Sequence, residues 1–578
     1  MNCVKILPLT VVSPCGSGPH RVEEENIVAT TVLSALTEAD TWDDERLVGQ
    51  LFNIATGRHA ARNVFAFGDD GQAPGEQASS EALNEQLKQF IRENHVGAVT
   101  YFPPGGRYES LPAIRATIRE LQDVADVPLL VATDQENGTV ARVRVGVPQL
   151  PGAMALGATA DAELWRLSGA YTADQLLAAG VQQAFAPVAD VNTRSANPGV
   201  NIRSAGADPV AAAAQVATVV RALGEKGVAA TLKHFPGLGR AAVDSHNELP
   251  IVSIARDAWD AVERLPFEAG IDAGADSIML GHVVFPALDE KNPATFSRAI
   301  VQGLLRAELG FDGVVVTDAM DMGGAAHPDG AGEACVAALD AGVDQILMPA
   351  DFPEAYDAVL AAVKDGRLSR ERLRESAKRI LRLKQKRSVG TLDLAAAATV
   401  DTAVQERFVQ RSAARAIAVR DDAAPATLQP GAHILLLHPG NDPYRRGADT
   451  GGVIRTVLET AGHTVTAAPW GGDADALAAA VTSDATQAVV VLRDAFKSGL
   501  PVTELLESLT ASGLDVFVIA SRSPYDGASV PSAYPLVLSY GDDAPSLTAA
   551  AHVLTGAAEA LGGRPMPVPS LESARRKG

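Results

Sequence analysis

The residues best suited to chemistry lie in one segment, Lys233–His246, which reads Lys-His-Phe-Pro-Gly-Leu-Gly-Arg-Ala-Ala-Val-Asp-Ser-His. It follows the short apolar run Val228–Leu232, which is typical of a buried strand. Lys233 and His234 are therefore predicted to lie where that strand ends, and a Pro-Gly turn leads on to an Asp-Ser-His triplet. A loop with this many specific residues at the end of a strand predicts a binding or catalytic site.

The Asp-Ser-His triplet, Asp244 to His246, is consistent with three roles. Histidine titrates near neutrality, and a nearby carboxylate can fix its tautomer and stabilise its charged form, which suits acid–base chemistry. His234, Asp244 and His246 are also permitted zinc ligands, although their spacing matches no common zinc motif. The third role is that of an ordinary histidine on an exposed loop. The sequence alone does not establish a contact between Asp244 and His246, because alternate residues of an extended segment need not touch.

A second candidate for chemistry is Asp318, which closes the apolar run Gly313–Asp318. A carboxylate at the carboxyl end of a strand can be held rigidly toward a pocket, which suits a nucleophile that attacks an anomeric carbon. The same position is equally consistent with a helix N-cap or with a salt-bridged residue of the scaffold.

Apolar runs recur between about residues 95 and 350 and alternate with Ala- and Leu-rich stretches of helical spacing, such as 160–179 and 209–226. The runs are continuous, as is typical of strands covered on both faces. Seven or eight such strand–helix units predict a (β/α)₈ barrel, which brings the strand ends to one face. The runs are Val96–Phe102, Pro128–Asp134, Gln183–Val188, Val228–Leu232, Asp276–Leu280, Gly313–Asp318 and Gln345–Met348, and the polar residues at their ends are Asp134, Asp190, Lys233, His234, His282 and Asp318.

The rest of the chain predicts a second, smaller domain. Ser369–Leu383 reads as a charged amphipathic helix with a capping serine, and periodicity is lost after it. Five further apolar runs between Ala432 and Leu538 predict a three-layer α/β sandwich, and no glycine-rich phosphate loop follows the first of them. The predicted segments are an N-terminal extension at 1–40, a TIM-barrel catalytic domain at 41–385, a linker at 386–405 and a C-terminal α/β domain at 406–578.

The composition of the chain indicates its fold class and argues against several kinds of partner. A chain of 578 residues with 47% hydrophobic residues predicts a globular protein of more than one domain. The net charge of -21 argues against a nucleic-acid partner, and the three scattered cysteines indicate neither a disulfide framework nor a thiolate metal site. The sequence contains no run of 18 apolar residues, so it predicts no membrane span. The short apolar start of the chain is interrupted by a proline, so we predict a cytoplasmic rather than an exported protein.

The Lys-His-Phe-Pro-Gly segment resembles the signature of glycoside hydrolase family 3, and its Asp-Ser-His extension resembles that of the family's β-N-acetylglucosaminidase branch. The resemblance implies that Asp318 is the catalytic nucleophile and that His246, with Asp244 beside it, is the general acid and base. It implies no cofactor and no metal. It also implies that five residues bind the sugar: Asp134, Arg142, Lys233, His234 and Arg203.

The resemblance covers about residues 45–385 well and the second domain loosely. It implies a retaining exo-β-N-acetylglucosaminidase that removes terminal N-acetylglucosamine from cell-wall (muropeptide) or chitin-type oligosaccharides through a covalent glycosyl-enzyme. The alternatives are a phosphorylase that uses the same site, a β-glucosidase-type member with its acid in the second domain, and a carbohydrate-binding protein without catalysis. The intact Asp-Ser-His loop disfavours the second alternative, and the presence of the catalytic groups disfavours the third.

Three positions depart from the family pattern. Asn137 stands where glycine is usual, Thr139 where arginine is common, and Leu238 where histidine is usual. Asparagine is well suited to replace glycine at a positive φ, so the backbone at position 137 can be preserved. The change at Leu238 affects leaving-group contacts or the loop rather than the chemistry.

Overall fold

A computed structural model of the chain describes residues 32–57, 80–104, 107–390, 400–420, 427–440, 449–470 and 484–565. Most of the predicted N-terminal extension, including the start considered for export, lies outside these residues, and so do residues 391–399 of the predicted linker. Within the described ranges, no helix has the length and apolar character needed to cross a bilayer.

Eight parallel strands form a nearly closed barrel, which confirms the predicted TIM-like fold. Strands β1 to β7 pair in sequential order, β8 pairs with β1, and one bridge between Val316 and Gln345 links β7 to the residue before β8. Every residue of these strands is buried, as the continuous apolar runs predicted for β2 to β8. The strands are β1 (Phe52–Ala55), β2 (Ala98–Thr100), β3 (Leu130–Thr133), β4 (Gln183–Ala184), β5 (Ala229–Phe235), β6 (Ser277–Leu280), β7 (Val314–Thr317) and β8 (Ile346–Leu347).

Helices alternate with these strands and pack around them. Several begin at a side chain that accepts a hydrogen bond from the first turn, and the predicted cap Ser369 accepts one from the Arg372 amide. The helices are Asp44–Gln50, Ser80–Glu93, Leu111–Gln122, Ala153–Thr159, Ala162–Ala179, Pro209–Glu225, Arg256–Ala261, Arg264–Asp272, Ala331–Ala341, Phe352–Lys364 and Arg370–Lys386, with a π-helical segment at Ala299–Glu308.

Two details of the barrel differ from the sequence prediction. The first strand, β1, lies well before residue 95, where the predicted series of strands began. Its polar Asn53 breaks the apolar run, and the structure buries this side chain, which accepts a hydrogen bond of 2.8 Å from Thr100 Oγ1. Strand β5 extends to Phe235, so Lys233 and His234 belong to the strand rather than following it. Buried partners in the barrel mouth compensate the cost of placing these polar side chains in a strand.

The second domain contains a six-stranded sheet in the order β11-β10-β12-β13-β14-β9. Alternate residues of β10 enter two different apolar clusters, one on each face of the sheet, which is consistent with the predicted three-layer arrangement. The antiparallel edge strand β9 was not predicted, because two residues after a helix carry no periodic signal. The strands are β9 (Ala418–Val419), β10 (His433–His438), β11 (Thr464–Pro469), β12 (Gln487–Leu492), β13 (Asp515–Ala520) and β14 (Leu536–Leu538), and the helices are Thr402–Ala416, Thr450–Thr460, Val502–Ala511 and Ala544–Leu554.

The two domains share an apolar cluster and several hydrogen bonds. Met154 and Ala158 of the barrel helix Ala153–Thr159 belong to the same buried cluster as one face of the second sheet. Gln175 Nε2 donates to Gln405 Oε1 at 2.7 Å across the same boundary. The second domain is therefore packed directly against the barrel, close to the loops that follow its strands.

Candidate active site

The register of β5, β6 and β7 brings two of the predicted site residues to one face of the barrel. Phe235 of β5 is paired with Leu280 of β6, which is paired with Thr317 of β7. His234 precedes Phe235 by one residue, and Asp318 follows Thr317 by one. The Asp318 amide donates to Leu280 O at 2.9 Å, which continues the ladder to the barrel rim.

Buried ion pairs hold three of the five predicted sugar-binding residues. Lys233 Nζ lies 2.7 Å from Asp134 Oδ1 and 2.6 Å from Glu136 Oε1. Arg203 binds Glu136 through two N–H groups at 2.8 and 2.7 Å. Burial alone would raise the pKa of Glu136, but Arg203 and Lys233 hold it well below its usual range. Burial likewise opposes the charge on Lys233, and the two carboxylates keep its pKa above the ordinary value.

His234 is oriented by Asp190 and lies next to the same ion pairs. Its Nδ1 is 2.7 Å from Asp190 Oδ2, and its Nε2 is 3.3 Å from an Arg203 nitrogen. With the ring proton on Nδ1 donated to Asp190, Nε2 can accept from Arg203, so one tautomer satisfies both contacts. We call Asp134, Glu136, Asp190, Arg203, Lys233 and His234 the charge cluster.

Arg142 lies at the edge of the charge cluster. One of its terminal nitrogens is 3.7 Å from Asp134 Oδ2, and its guanidinium carbon lies 5.2 Å from the centre of the Phe102 ring. All five predicted sugar-binding residues are therefore brought together on one side of the barrel mouth.

The surroundings of Asp318 match neither of the two structural alternatives, a helix N-cap or a salt-bridged residue of the scaffold. Its Oδ1 accepts a hydrogen bond of 2.8 Å from the adjacent Ala319 amide, and among the described residues its carboxylate neither caps a helix nor forms an ion pair. Buried His282 fixes the backbone beyond it, with Nε2 3.0 Å from Ala319 O and Nδ1 2.7 Å from Thr295 Oγ1. Burial lowers the pKa of His282, while the charge of Asp318 acts in the opposite direction.

Residues 244–248, which we call the acid–base loop, form a turn in which Asp244 and His246 touch. His246 Nδ1 lies 2.7 Å from Asp244 Oδ1, which also accepts the His246 amide at 3.0 Å. Burial would raise the pKa of Asp244, but these two hydrogen bonds and the charge of Lys497 hold it below its ordinary value. Because Nδ1 is engaged, Nε2 is the ring atom available for proton exchange. The His246 side chain is 64% exposed.

Two main-chain hydrogen bonds join the acid–base loop to the turn that follows Asp318. The Gly323 amide donates to His246 O and the Gly324 amide donates to Ser245 O, both at 3.0 Å. A Cβ at Gly323 would lie 2.4 Å from a backbone oxygen of the loop, and one at Gly324 would lie 2.9 Å from another. Only glycine allows this close approach, so the loop and the segment carrying Asp318 are held together by their backbones.

The three departures from the family pattern have simple structural accounts. Asn137 has a positive φ of 71°, as predicted, and its Nδ2 donates to Thr172 Oγ1 at 2.8 Å. At position 238 the backbone rather than the side chain hydrogen-bonds to the charge cluster. The Leu238 amide donates to Asp190 Oδ1 at 2.6 Å, and the Leu238 side chain is buried. Thr139 lines a cavity of about 140 Å³ between the two domains, to which Glu136 and Arg203 of the charge cluster also contribute.

Sequence reasoning assigned no role to Glu136, Asp190 or His282. The signal for Glu136 was its position two residues after Asp134, because side chains at this spacing in an extended segment point to the same side. Both carboxylates consequently reach Lys233. Asp190 and His282 followed apolar runs, but nothing in the sequence identified their partners.

The zinc alternative does not match the structure. His234 is paired with Asp190, and His246 is paired with Asp244, in two separate contacts. Across the part of the chain that the structure describes, no group of three or more His, Cys, Asp or Glu side chains is arranged to hold a metal ion.

Residues 46–383, more than half of the chain, match the description "Glycosyl hydrolase family 3 N terminal domain". The chain belongs to glycoside hydrolase family 3. A "Beta-N-acetylglucosaminidase/beta-glucosidase" of Cellulomonas fimi is 30% identical over 519 residues, which cover 83% of this family 3 chain and 90% of that relative. A "Beta-hexosaminidase" of Stenotrophomonas maltophilia (strain R551-3) is 35% identical over 299 residues, 50% of this chain and 85% of the relative.

Among solved structures, the family 3 β-N-acetylglucosaminidase of Paenibacillus sp. str. FPU-7 is similar over both domains. It superposes with a TM-score of 0.79 at 33% identity and covers 91% of this chain and 99% of its own. Together with the curated relatives, this places the present family 3 glycoside hydrolase in the β-N-acetylglucosaminidase/β-hexosaminidase branch and confirms the resemblance inferred from its motifs.

Proposed function

We propose that this family 3 member is a retaining exo-β-N-acetylglucosaminidase, with Asp318 as nucleophile and His246 as general acid and base. The observation that supports this most directly is the pair of main-chain hydrogen bonds between the acid–base loop and the turn after Asp318. Retaining hydrolysis needs a nucleophile and a proton-exchanging group at a fixed separation, and these bonds provide a fixed frame for both. We assign the chemistry to the domain at 41–385.

In the first step, Asp318 attacks the anomeric carbon. Its Oδ1 is engaged by the Ala319 amide, so Oδ2 is the oxygen that forms the new bond to C1. The bond from C1 to the leaving oxygen breaks, and His246 Nε2 gives that oxygen its proton. Asp244 stabilises the imidazolium before the transfer and holds the ring through Nδ1.

In the second step, neutral His246 removes a proton from water at Nε2. The water oxygen attacks C1, the bond to Asp318 breaks, and N-acetylglucosamine leaves with its β configuration retained. These steps require no cofactor and no metal.

The charge cluster and Arg142 would bind the terminal sugar. Charged partners form strong hydrogen bonds to hydroxyl groups, and here the mutual ion pairs fix both the positions and the charges of Asp134, Lys233 and Arg203. Dipoles and charges that are already oriented need no reorganisation as the transition state forms. The cluster therefore supplies recognition, while Asp318 and the acid–base loop supply the reaction.

We propose terminal β-linked N-acetylglucosamine on cell-wall (muropeptide) or chitin-type oligosaccharides as the substrate. The names of the Cellulomonas fimi and Paenibacillus relatives support the sugar, and the first of these also carries the name β-glucosidase. Phosphorolysis is a second candidate, because a deprotonated histidine at position 246 is neutral and would not repel phosphate as a carboxylate would.

The test is a product assay on aryl β-glycosides of N-acetylglucosamine, glucose and galactose, with and without phosphate. We expect strong preference for the N-acetylglucosaminide and initial release of the β-anomer, observed by NMR. Equal rates on glucosides would indicate a β-glucosidase-type enzyme, and sugar 1-phosphate would indicate a phosphorylase. Binding without turnover would indicate a carbohydrate-binding protein. A muropeptide and a chitin disaccharide then separate the two natural substrate classes.

A further inference from the structure

One lysine of the second domain reaches the active-site face of the barrel. Residues 494–499, which we call the 494–499 loop, follow β12, and Lys497 Nζ donates to Pro198 O of the barrel at 3.1 Å. This contact joins positions almost 300 residues apart. It brings a positive charge to the side of the site where the acid–base loop lies.

The dipeptide Pro198–Gly199 is a meeting point of three parts of the site. Its first carbonyl accepts from Lys497, and its second accepts from Arg203 at 3.0 Å. A Cβ placed on Gly199 would lie 3.6 Å from Asp244 Oδ1, so the Asp244 carboxylate lies beside this glycine. The second domain and the charge cluster therefore bind these two residues, and the acid–base loop lies beside them.

The 494–499 loop is held in place by buried groups. The Phe496 amide donates to Asp526 Oδ1 at 2.9 Å, and Asp526 is 1% exposed. The Ser498 amide donates back to Asp494 O at 3.0 Å, and the Asp494 carboxylate pairs with Arg522. These contacts hold the backbone of the loop and therefore fix the point from which the Lys497 side chain extends.

Electrostatics point to the acid–base loop as the place where Lys497 acts. The positive charge of Lys497 is one of the influences that favour ionised Asp244. Among the residues that the structure describes, Lys497 itself forms no ion pair. Its side chain is exposed, so its effect should be modest and sensitive to salt.

We propose that Lys497 is a positioning residue for proton transfer: through Pro198–Gly199 and Asp244 it holds the imidazole of His246 in its working orientation. The proposal rests on the proposed role of His246 and extends it, because it gives the second domain a part in the acid–base step. A residue that acts only through His246 must matter most for the leaving groups that need a proton.

The experiment measures kcat/KM of Lys497→Met for N-acetylglucosaminides with leaving groups from dinitrophenol to a sugar. We expect a loss of about threefold to fivefold for the sugar leaving group, in the range of one exposed charge interaction, and almost none for dinitrophenol. Raising the salt concentration should reduce the difference between the wild type and Lys497→Met. Lys497→Arg should restore the wild-type profile.

The matched control is Arg493→Met. Arg493 precedes the same loop and donates to Gly440 O at 2.8 Å within its own domain, so the variant removes the same charge without releasing Pro198. It should keep the wild-type profile. A Lys497→Met loss that is equal for all leaving groups, or no loss, would overturn the inference while His246→Ala still shows its own leaving-group dependence. If His246→Ala also shows none, the proposed acid–base assignment fails, and the inference fails with it.

Discussion

The charge cluster and the acid–base loop are built in opposite ways. In the cluster, Lys233 and Glu136 are 2% and 3% exposed and are held by side-chain ion pairs between separate segments of the barrel. In the loop, His246 is 64% exposed and is held by one carboxylate and by backbone bonds to the glycines after Asp318. The Lys233–Glu136 pair at the centre of the cluster is almost closed to solvent, and His246 is open to it.

The difference follows from the tasks proposed for the two regions. Groups that recognise a sugar should keep one charge throughout the cycle, and buried ion pairs fix that charge by making either neutral form unfavourable. A group that exchanges protons must change its charge and must be reached by water. Placing His246 in surroundings like those of Glu136 would fix its protonation state and stop the cycle.

The largest expected effect is at Asp318, the proposed nucleophile, which belongs to neither region. Asp318→Ala should abolish turnover and leave the thermal unfolding midpoint nearly unchanged, because this side chain lies at the end of β7 rather than in the core. A fluorinated substrate that slows the second step should label Asp318. The control is Asp321→Ala, which should remain active, and a label found on Asp321 would contradict the assignment.

The next largest effect should separate the loop from the cluster by leaving-group dependence. His246→Ala should lower the rate about 10²–10⁴-fold for a sugar leaving group and only slightly in the first step for a dinitrophenolate, which departs without a proton. Activated substrates should then show a burst as the glycosyl-enzyme accumulates. A uniform loss across all leaving groups would mean that His246 only shapes the loop.

A cluster variant should show the uniform loss that the loop variant lacks. Glu136→Gln keeps the shape but leaves Lys233 and Arg203 without their shared carboxylate, so kcat/KM should fall about 10²–10³-fold for every leaving group, in line with a broken buried pair. The control Glu163→Gln disrupts an exposed pair with Arg166 and should be nearly silent.

Glu136→Gln should also change how the stability of the fold depends on pH. The folded pKa of Glu136 is depressed below the ordinary 4.5, so its ionised form stabilises the fold above that pH, and this contribution is lost as the pH falls toward the folded value. The difference in unfolding free energy between wild type and Glu136→Gln should therefore be largest near neutrality and shrink below about pH 4.5. A difference that is constant with pH would contradict the charge-cluster account.

The smallest effect concerns a buried charge that lacks such partners. Among the described residues, the hydrogen-bond partner of Lys384 Nζ is the neutral Gln50 Oε1, at 2.9 Å, and burial lowers the pKa of Lys384 to about 7. Below that pH the folded protein carries a buried charge, and the destabilisation fades as the pH rises toward the unfolded value of 10.5. Lys384→Met should stabilise the fold by about 1–3 kcal/mol at pH 6 and less at pH 10, with unchanged kcat. Destabilisation at pH 6 would show that the hydrogen bond outweighs the buried charge.

The fold and most of the candidate site could be predicted from the sequence because both depend on local signals. Continuous apolar runs predicted seven barrel strands, and the Asp-Ser-His triplet supplied Asp244 and His246 as candidates whose contact the sequence left open and the structure shows. Strand β1 was missed because Asn53 interrupts it, and the role of Glu136 was missed because its partners, Lys233 and Arg203, come from distant parts of the chain. The contact between Lys497 and Pro198 depends on how two separately folded layers dock, which no local pattern encodes.

Gly323 and Gly324 have a consequence for protein engineering. Because the backbones of these glycines join the turn after Asp318 to residues 245 and 246, the spacing and the identity of the proposed proton donor are encoded at different positions. Position 246 can therefore be varied, for instance to glutamate, as a single-site route to enzymes with another working pH or another acceptor. The two glycines are the positions that a mutant library should leave untouched.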